Sequence, residues 1–133
     1  MTFDGNNSLP GVILLGHGSS ESEAGLEIRD LCATLSESKP GWRFEPAFLN
    51  QEPKLDQAVK ALISLGCKHI QVLPLLVFKG KHILEDIPNS VENLRTQHPE
   101  IVFELQPYLS RLTGFKDLIL KELNSTTFRS NEA

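Results

Sequence analysis

The stretch Gly11–Ser20, with the sequence GVILLGHGSS, decides the fold and holds the first candidate site residue. Its apolar run, Val12–Leu15, lies between two glycines, which is typical of a buried strand. Ser20 and Glu23 have the spacing of a capping box, and apolar residues recur every three or four positions over 24–35, which predicts a helix. A strand, a glycine-rich loop and a helix in this order indicate an α/β protein in which helices connect parallel strands.

The same alternation of strand and helix repeats along the chain. Further strands are predicted at 42–49, 69–74 and 101–105. Further helices are predicted with Pro53 in the first turn, with Pro88 at the start or at a kink, and over 112–123. We therefore predict an α/β fold with a single four-stranded parallel sheet, helices on both faces and the strand order 2-1-3-4. Pro46 predicts that the second strand lies at an edge, and Pro74 should end the hydrogen-bonded part of the third.

The length of 133 residues favours one domain. We expect a loose N-terminal leader at residues 1–10, the α/β domain at 11–123 and a flexible tail at 124–133, because both ends are polar and lack apolar periodicity. The N-terminus has neither a basic flank nor an apolar segment, so a secretory signal is not expected. No apolar run approaches the roughly 20 residues that span a bilayer, so no membrane association is expected.

Charge and cysteine content exclude several classes of function. Acidic residues outnumber basic ones 17 to 13, which argues against a nucleic-acid partner, since phosphate binding needs a basic surface. Cys32 and Cys67 are far apart, so a disulfide framework or a cysteine-rich metal site is not expected. This usage fits a reducing compartment, and we expect the cytoplasm.

Two histidines are the main candidates for chemistry. If the first and third strands are neighbours, the loops that follow them bring His17 and His82 to one crevice at the carboxyl ends of the strands, where such sheets bind ligands. Neutral imidazole acts as a base or a metal ligand near pH 7. Gly18 permits close approach of a ligand, and Ser19 and Ser20 lie at a helix N-terminus that attracts anions.

Other residues near this crevice admit two interpretations. Lys79, Gly80 and Lys81 either screen a polyanionic ligand or form a solvated loop. Asp86 shares a helical face with His82 only if Pro88 permits a helical turn there, and Glu52 either overlooks the crevice or is a solvated carboxylate at a helix start. His69 and His98 are expected to be structural or solvated.

Competing motifs fail on single positions. A dinucleotide-binding fingerprint would need glycine or alanine where Glu21 stands, and a histidine phosphatase would need arginine where Gly16 stands.

Taken together, the motifs resemble those of a known family. They are Gly16–Ser20 after an apolar strand, Ala47–Leu49 followed by Glu52-Pro53, Leu73–Leu76, and His82 four residues before Asp86-Ile87-Pro88. This pattern resembles the short-form sirohydrochlorin chelatases of the CbiX/SirB type, class II chelatases that insert cobalt or ferrous iron into sirohydrochlorin. The resemblance covers about residues 11–123.

The resemblance implies a lyase that works as a homodimer. It implies that His17 and His82 bind the metal and accept pyrrole protons, that Co²⁺ or Fe²⁺ is a substrate, and that no prosthetic group is needed. A tetrapyrrole, on the order of 10–15 Å across, also exceeds the shallow lip that one four-stranded unit offers. Asn50 stands where the family has a carboxylate, so Glu52 is a further candidate ligand. The alternative is a non-catalytic metallochaperone or tetrapyrrole carrier that uses the same histidines.

Overall fold

Four parallel strands form the centre of the protein in the computed structural model, which describes residues 8–18, 23–81 and 85–125. The strands are β1 (Pro10–Gly16), β2 (Arg43–Phe48), β3 (His69–Pro74) and β4 (Val102–Leu105). Their order in the sheet is β2-β1-β3-β4, all parallel, which confirms the predicted fold and topology. Pro46 lies on the edge strand β2 opposite Leu14, and Pro74 is the last residue of β3, as predicted.

Helices connect the strands. They are α1 (Glu23–Ser38), α2 (Leu55–Ser64), α3 (Ile87–Gln97) and α4 (Phe115–Ser125), and a single 3-10 turn (Leu109–Arg111) precedes α4. Gly66 adopts a φ of +98° just after α2, a conformation that L side chains rarely adopt, and so ends that helix. Among the described residues, no helix combines the length and apolar character needed to span a bilayer.

Several element boundaries differ from the prediction. Pro10 belongs to β1, where it lies opposite His69, although it was assigned to the leader. The second helix starts at Leu55 and not at Pro53, because the Pro53 carbonyl accepts a hydrogen bond from Phe48 N (2.9 Å) and belongs to the preceding loop. The last helix begins after Leu112 and continues through Ser125, two residues past the predicted boundary. The predicted cap at Ser20 lies outside the described residues.

The two faces of the sheet are covered unequally. On one face, which we call the closed face, α2 and α3 bury a continuous apolar layer that includes Ile13, Leu62 and Val91 at 0–1% exposure. On the other face, α1 packs on β1 and β2 around Val12, Leu14 and Cys32. β1 is buried along its whole length and supplies residues to both layers.

Candidate functional site

The ends of β1 and β3 are neighbours in the sheet, as the predicted strand order requires. Leu15 lies opposite Pro74, and Leu75 N donates a hydrogen bond to the Leu15 carbonyl (2.8 Å). Neighbouring strands are about 4.8 Å apart, so the two loops leave the sheet from almost the same place. The loop that begins at His17 and the loop that leads to His82 therefore start side by side at the carboxyl edge.

Gly16 holds the start of the first loop close to α1. A Cβ at this position would lie 2.3 Å from Ile28 Cδ1, so a side chain here would force the isoleucine into another rotamer. The Gly16 carbonyl also accepts a hydrogen bond from Leu49 N (3.0 Å), which ties β1 to the end of β2. The absence of a side chain at Gly16 thus lets α1 and β2 fix the point where His17 begins the loop.

His17 is exposed at this edge, one residue after β1 ends, and Gly18 is half-buried beside it. Ser19 and Ser20, predicted to bind substrate, lie outside the described residues. The imidazole of His17 is accessible to solvent, and the strand that positions its backbone is fully buried. A side chain placed in this way can contact a large ligand without movement of the sheet.

Glu52 lies on the loop that follows β2, next to β1. The bond from Phe48 N to the Pro53 carbonyl folds this loop back on the strand end, and the Glu52–Pro53 peptide is cis. Glu52 is exposed, as is Asn50. Gly16 lies opposite Phe48, so the Glu52 loop and His17 share one edge of the sheet. Within the described ranges, no group of three or more His, Cys, Asp or Glu side chains is arranged to hold a metal ion.

The loop after β3 is anchored by the 3-10 turn. Leu109 N donates to the Leu76 carbonyl and Ser110 N donates to the Val77 carbonyl, both at 2.9 Å. Beyond these anchors, Lys79, Gly80 and Lys81 are all exposed. The loop therefore has a fixed base and a cationic outer part, and it leads to His82, which lies outside the described residues.

The start of α3 lies at the same carboxyl edge of the sheet. Ile87 is buried at 2% exposure and begins the helix, and Pro88 follows in the first turn, as predicted. Asp86 is exposed and its backbone is already helical, with φ −72° and ψ −44°. The backbone of Asp86 is thus helical despite Pro88, whereas the predicted shared face with His82 lies outside the described residues.

Two recesses flank Ile87 at this edge. One, of about 290 Å³, lies between α2 and α3 over the ends of β1 and β2; the other, of about 320 Å³, lies over the ends of β3 and β4 beside Tyr108. The rim of the first carries polar residues that the sequence analysis missed, namely Lys54, Asp56, Ser90, Asn93 and Gln97. They lie at the start of α2 and along α3, which are far apart in the sequence, so no local motif could have grouped them.

The histidines assigned to structural roles lie at the other end of the sheet. His69 starts β3, and its Nε2 lies 3.3 Å from Glu104 Oε2 on β4. His98 follows the last residue of α3, with its ring centroid 6.4 Å from that of Phe103. Neither belongs to the carboxyl edge.

The cysteines are buried away from the edge. Burial, with a smaller contribution from Glu45, raises the pKa of Cys32 to about 11. Burial also raises the pKa of Cys67. Burial therefore disfavours the thiolate, the form in which a cysteine ligates a metal, at both positions.

Comparison with known proteins identifies the family to which the chain belongs. Residues 11–126 match the CbiX family model. The chain belongs to the CbiX family. Its relatives include a sirohydrochlorin cobaltochelatase of Sulfolobus acidocaldarius, 32% identical over 112 residues, which are 84% of this chain and 87% of that protein. A sirohydrochlorin cobaltochelatase of Priestia megaterium is 29% identical over 98 residues, which are 73% of this chain but only 32% of the Priestia protein.

Among solved structures, too, the match covers all of one relative and about half of another. A CbiX protein from Marinobacter aquaeolei VT8 is 25% identical with a TM-score of 0.66, and the match covers 88% of this chain and 99% of that one. The chelatase SirB from Bacillus subtilis subspecies spizizenii, solved with cobalt, shares the fold with a TM-score of 0.72 at 22% identity. That match covers 87% of this CbiX-family chain but 50% of SirB. The chain thus has the length of the smaller family members and about half that of SirB.

Proposed function

We propose that this chain is a sirohydrochlorin chelatase that inserts Co²⁺ or Fe²⁺ into the tetrapyrrole. The observation that carries the proposal is the CbiX family match over residues 11–126, together with a sirohydrochlorin cobaltochelatase of nearly the same length. Some relatives are named as ferrochelatases, for example that of Bacillus subtilis at 28% identity, so we include iron with cobalt as a candidate substrate. Imidazole and carboxylate ligands accept both ions.

The chemistry required is an exchange of one cation for two protons. The divalent ion enters the ring and gains its four nitrogens as ligands, and two pyrrole N–H groups lose their protons, so no electron is transferred. In our proposal, His17 and His82 present the ion to the ring face and accept these protons. Neutral imidazole is suited to both tasks near pH 7. The exposure of His17 at the sheet edge supports its part.

We assign supporting roles to the loops around this edge. Gly18 and Gly80 leave room for the ring to approach the backbone, and Ser19 and Ser20 offer hydroxyl groups for hydrogen bonds to it. Lys79, with Asp86 at the start of α3, orients polar groups on the periphery of the ring. Glu52, exposed on the adjacent loop, takes the place of the carboxylate that the family has at Asn50 and helps to deliver the ion.

We further propose that the enzyme is a homodimer in the cytoplasm. The two recesses of about 290 and 320 Å³ are at the lower limit for enclosing a drug-sized ligand, and a tetrapyrrole is larger. A second copy facing the carboxyl edge supplies the missing wall. Two unpaired, buried cysteines fit a reducing compartment.

The test compares four histidine variants in an anaerobic assay that follows metal insertion by absorbance. His17→Ala and His82→Ala should each lower the insertion rate by about 100-fold or more, the range expected for loss of a proton-transfer group. His69→Ala and His98→Ala, at the opposite end of the sheet, are matched controls and should retain the wild-type rate within about threefold.

Two results would contradict the proposal in different ways. Wild-type rates in both edge variants would refute the assignment of His17 and His82. Product that stops at one equivalent per subunit in the wild-type protein would instead identify a carrier, the alternative function.

A further inference from the structure

The recess over the ends of β3 and β4, which we call the β3/β4 recess, has mainly apolar walls. Pro74 is the last residue of β3, and Leu105 is the last residue of β4. Ile87 and Pro88, at the start of α3, line the same recess, as does Tyr108 just before the 3-10 turn. Its volume of about 320 Å³ has room for a short aliphatic group of a ligand but not for a macrocycle.

A guanidinium is held beside this recess. Arg111 Nε donates a hydrogen bond to the hydroxyl oxygen of Tyr108 (3.2 Å), and Arg111 N donates to the Tyr108 carbonyl (2.9 Å). Arg111 is exposed, and among the described residues no carboxylate forms an ion pair with it. Since the side-chain bond uses only Nε, the two terminal amino groups of the guanidinium stay available to an anion.

The chain is acidic overall, but the segments around this recess are basic. The full sequence has 17 acidic and 13 basic residues. In contrast, residues 75–81 and 105–112, which are the loop after β3 and the segment that ends with the 3-10 turn, contain Lys79, Lys81 and Arg111 and no acidic residue. The two backbone hydrogen bonds at the base of the loop hold these segments together. A ligand with negatively charged groups is therefore attracted to this part of the edge.

The recess between α2 and α3 does not have this charge. Its rim carries Lys54 and Asp56, which are opposite in charge, and the uncharged side chains of Ser90, Asn93 and Gln97. Lys54 and Asp56 offset each other, so this recess has little net attraction for an anion. Of the two recesses, the β3/β4 recess is thus the better site for an anionic group.

We propose that the β3/β4 recess binds an aliphatic carboxylate arm of the tetrapyrrole, with Arg111 pairing with the carboxylate. Sirohydrochlorin carries acetate and propionate arms, in which methylene groups lead to a carboxylate. The methylene groups suit the apolar walls, and a guanidinium binds a carboxylate through two parallel hydrogen bonds. Tyr108 is then a positioning residue that orients the guanidinium. This inference rests on the chelatase function proposed above and adds a substrate-binding site to it.

One tetrapyrrole can reach both this recess and His17. In the sheet, β4 is next to β3, and β3 is next to β1, the strand that leads to His17. Two strand spacings of about 4.8 Å separate the end of β4 from the end of β1 by about 10 Å. A tetrapyrrole is on the order of 10–15 Å across. A ring whose centre meets His17 therefore extends an arm as far as the ends of β3 and β4.

The first experiment measures binding without insertion, by anaerobic fluorescence titration of the full chain with metal-free sirohydrochlorin. Arg111→Gln should raise the Kd about tenfold, the size expected for loss of a charged hydrogen-bond partner. Arg43→Gln makes the same change at an exposed arginine at the start of β2, the opposite end of the sheet, and is the matched control. Its Kd should stay within about twofold of wild type, because a single distant charge is screened.

The second experiment tests whether Tyr108 acts through Arg111. Tyr108→Phe removes only the hydroxyl and should raise the Kd by about two- to threefold in the wild-type background. It should have no further effect when added to Arg111→Gln, because the guanidinium that the hydroxyl orients is then gone. Arg111→Lys keeps the charge without the planar fork and should recover part of the affinity. Independent, additive losses for Tyr108→Phe and Arg111→Gln would contradict the positioning role.

The third measurement distinguishes an arm of the tetrapyrrole from a free carboxylate. Succinate is added at millimolar concentration during the titration with sirohydrochlorin. We expect little displacement, because an arm attached to a bound ring competes at a high effective concentration. Displacement by succinate that depends on Arg111 would instead identify a site for a free carboxylate and would overturn the proposal.

The remaining outcomes separate the arm site from the chelatase function, since metal insertion is assayed in parallel. With insertion present, Arg111→Gln should raise the KM for sirohydrochlorin about tenfold and leave kcat within about twofold. An unchanged Kd and KM for Arg111→Gln, or an equal change in Arg43→Gln, refutes the arm site while the chelatase proposal stands. Arg111-dependent binding without insertion by wild type would support the arm site and refute the chelatase. A wild type that does not bind sirohydrochlorin refutes both.

Discussion

The two faces of the sheet differ in how much of their apolar surface is buried. The closed face has Ile13, Leu62 and Val91 packed at 0–1% exposure under two helices. On the other side of β3 and β4, Val102 is 54% exposed, and α4, which follows β4, contributes no buried residue. Buried apolar packing is thus concentrated on one side of β3 and β4. Because β1 belongs to the buried layers, His17 is supported by the rigid part of the molecule.

The largest effect should come from truncating a residue on the closed face. Ile13→Ala removes a fully buried side chain and should lower the free energy of unfolding by about 3 kcal/mol. Val102→Ala, at an exposed position on the other side of the sheet, should cost about 1 kcal/mol or less. Urea unfolding measures both. Equal losses for the two variants would remove the distinction between the faces.

Much of this contrast could be read from the sequence, and part of it could not. The alternation of strands and helices predicted parallel strands joined by helical crossovers. Pro46 predicted that β2 lies at an edge, and Pro74 predicted the end of β3. These features favoured the order that the structure shows. The exposure of α4 was not predictable. An apolar period over 112–123 shows that one side of a helix seeks a partner, but it does not say which surface the partner provides.

The same limit applies to the candidate site. His17 could be placed because it directly follows a buried strand, and the register of β1 with β3 then sets its position. The recess that joins Lys54 on one side with Asn93 on the other depends on how α2 and α3 pack, so it required the structure. The roles of His82, Ser19 and Ser20 stay predictions, since these residues lie outside the described ranges.

A smaller effect is expected where α1 meets the end of β1. Gly16→Ala should cost about 1 kcal/mol, because its Cβ would lie 2.3 Å from Ile28 Cδ1 and the isoleucine must turn to another rotamer. Adding Ile28→Val removes that methyl group and should recover part of the loss. Gly114→Ala, where a Cβ would meet no atom of the described residues within 4 Å, is the control and should change stability by less than about 1 kcal/mol. Thermal unfolding of the three variants sharpens the view that the site edge is rigid; a harmless Gly16→Ala would contradict it.

A still smaller, pH-dependent effect is expected at Glu45 on β2. Burial raises the pKa of this carboxyl, and Arg29 opposes the shift. A raised pKa in the folded state means that stability is highest while the carboxyl is neutral and falls as pH rises through that pKa. Glu45→Gln, which stays neutral, should therefore be more stable than wild type at pH 7.5 and gain less at pH 4. The difference in melting temperature at the two pH values checks the sign, and a larger gain at pH 4 would reverse the argument.

The smallest effect should be the labelling of the native thiols. With the pKa of Cys32 at about 11 and that of Cys67 raised by burial, very little thiolate exists at pH 8. An aromatic disulfide reagent should label neither residue in the folded protein within minutes and both after unfolding in urea. Rapid labelling of Cys32 would show that the layer under α1 opens readily.

The central claim, that a rigid sheet edge carrying His17 performs catalysis, is tested most directly by counting product. Sirohydrochlorin and Co²⁺ are supplied in large excess over the protein under anaerobic conditions, and metallated product per subunit is followed over time. We expect many equivalents per subunit for wild type and only the uncatalysed rate for His17→Ala. Accumulation that stops at one equivalent, or an undiminished rate in His17→Ala, would contradict it.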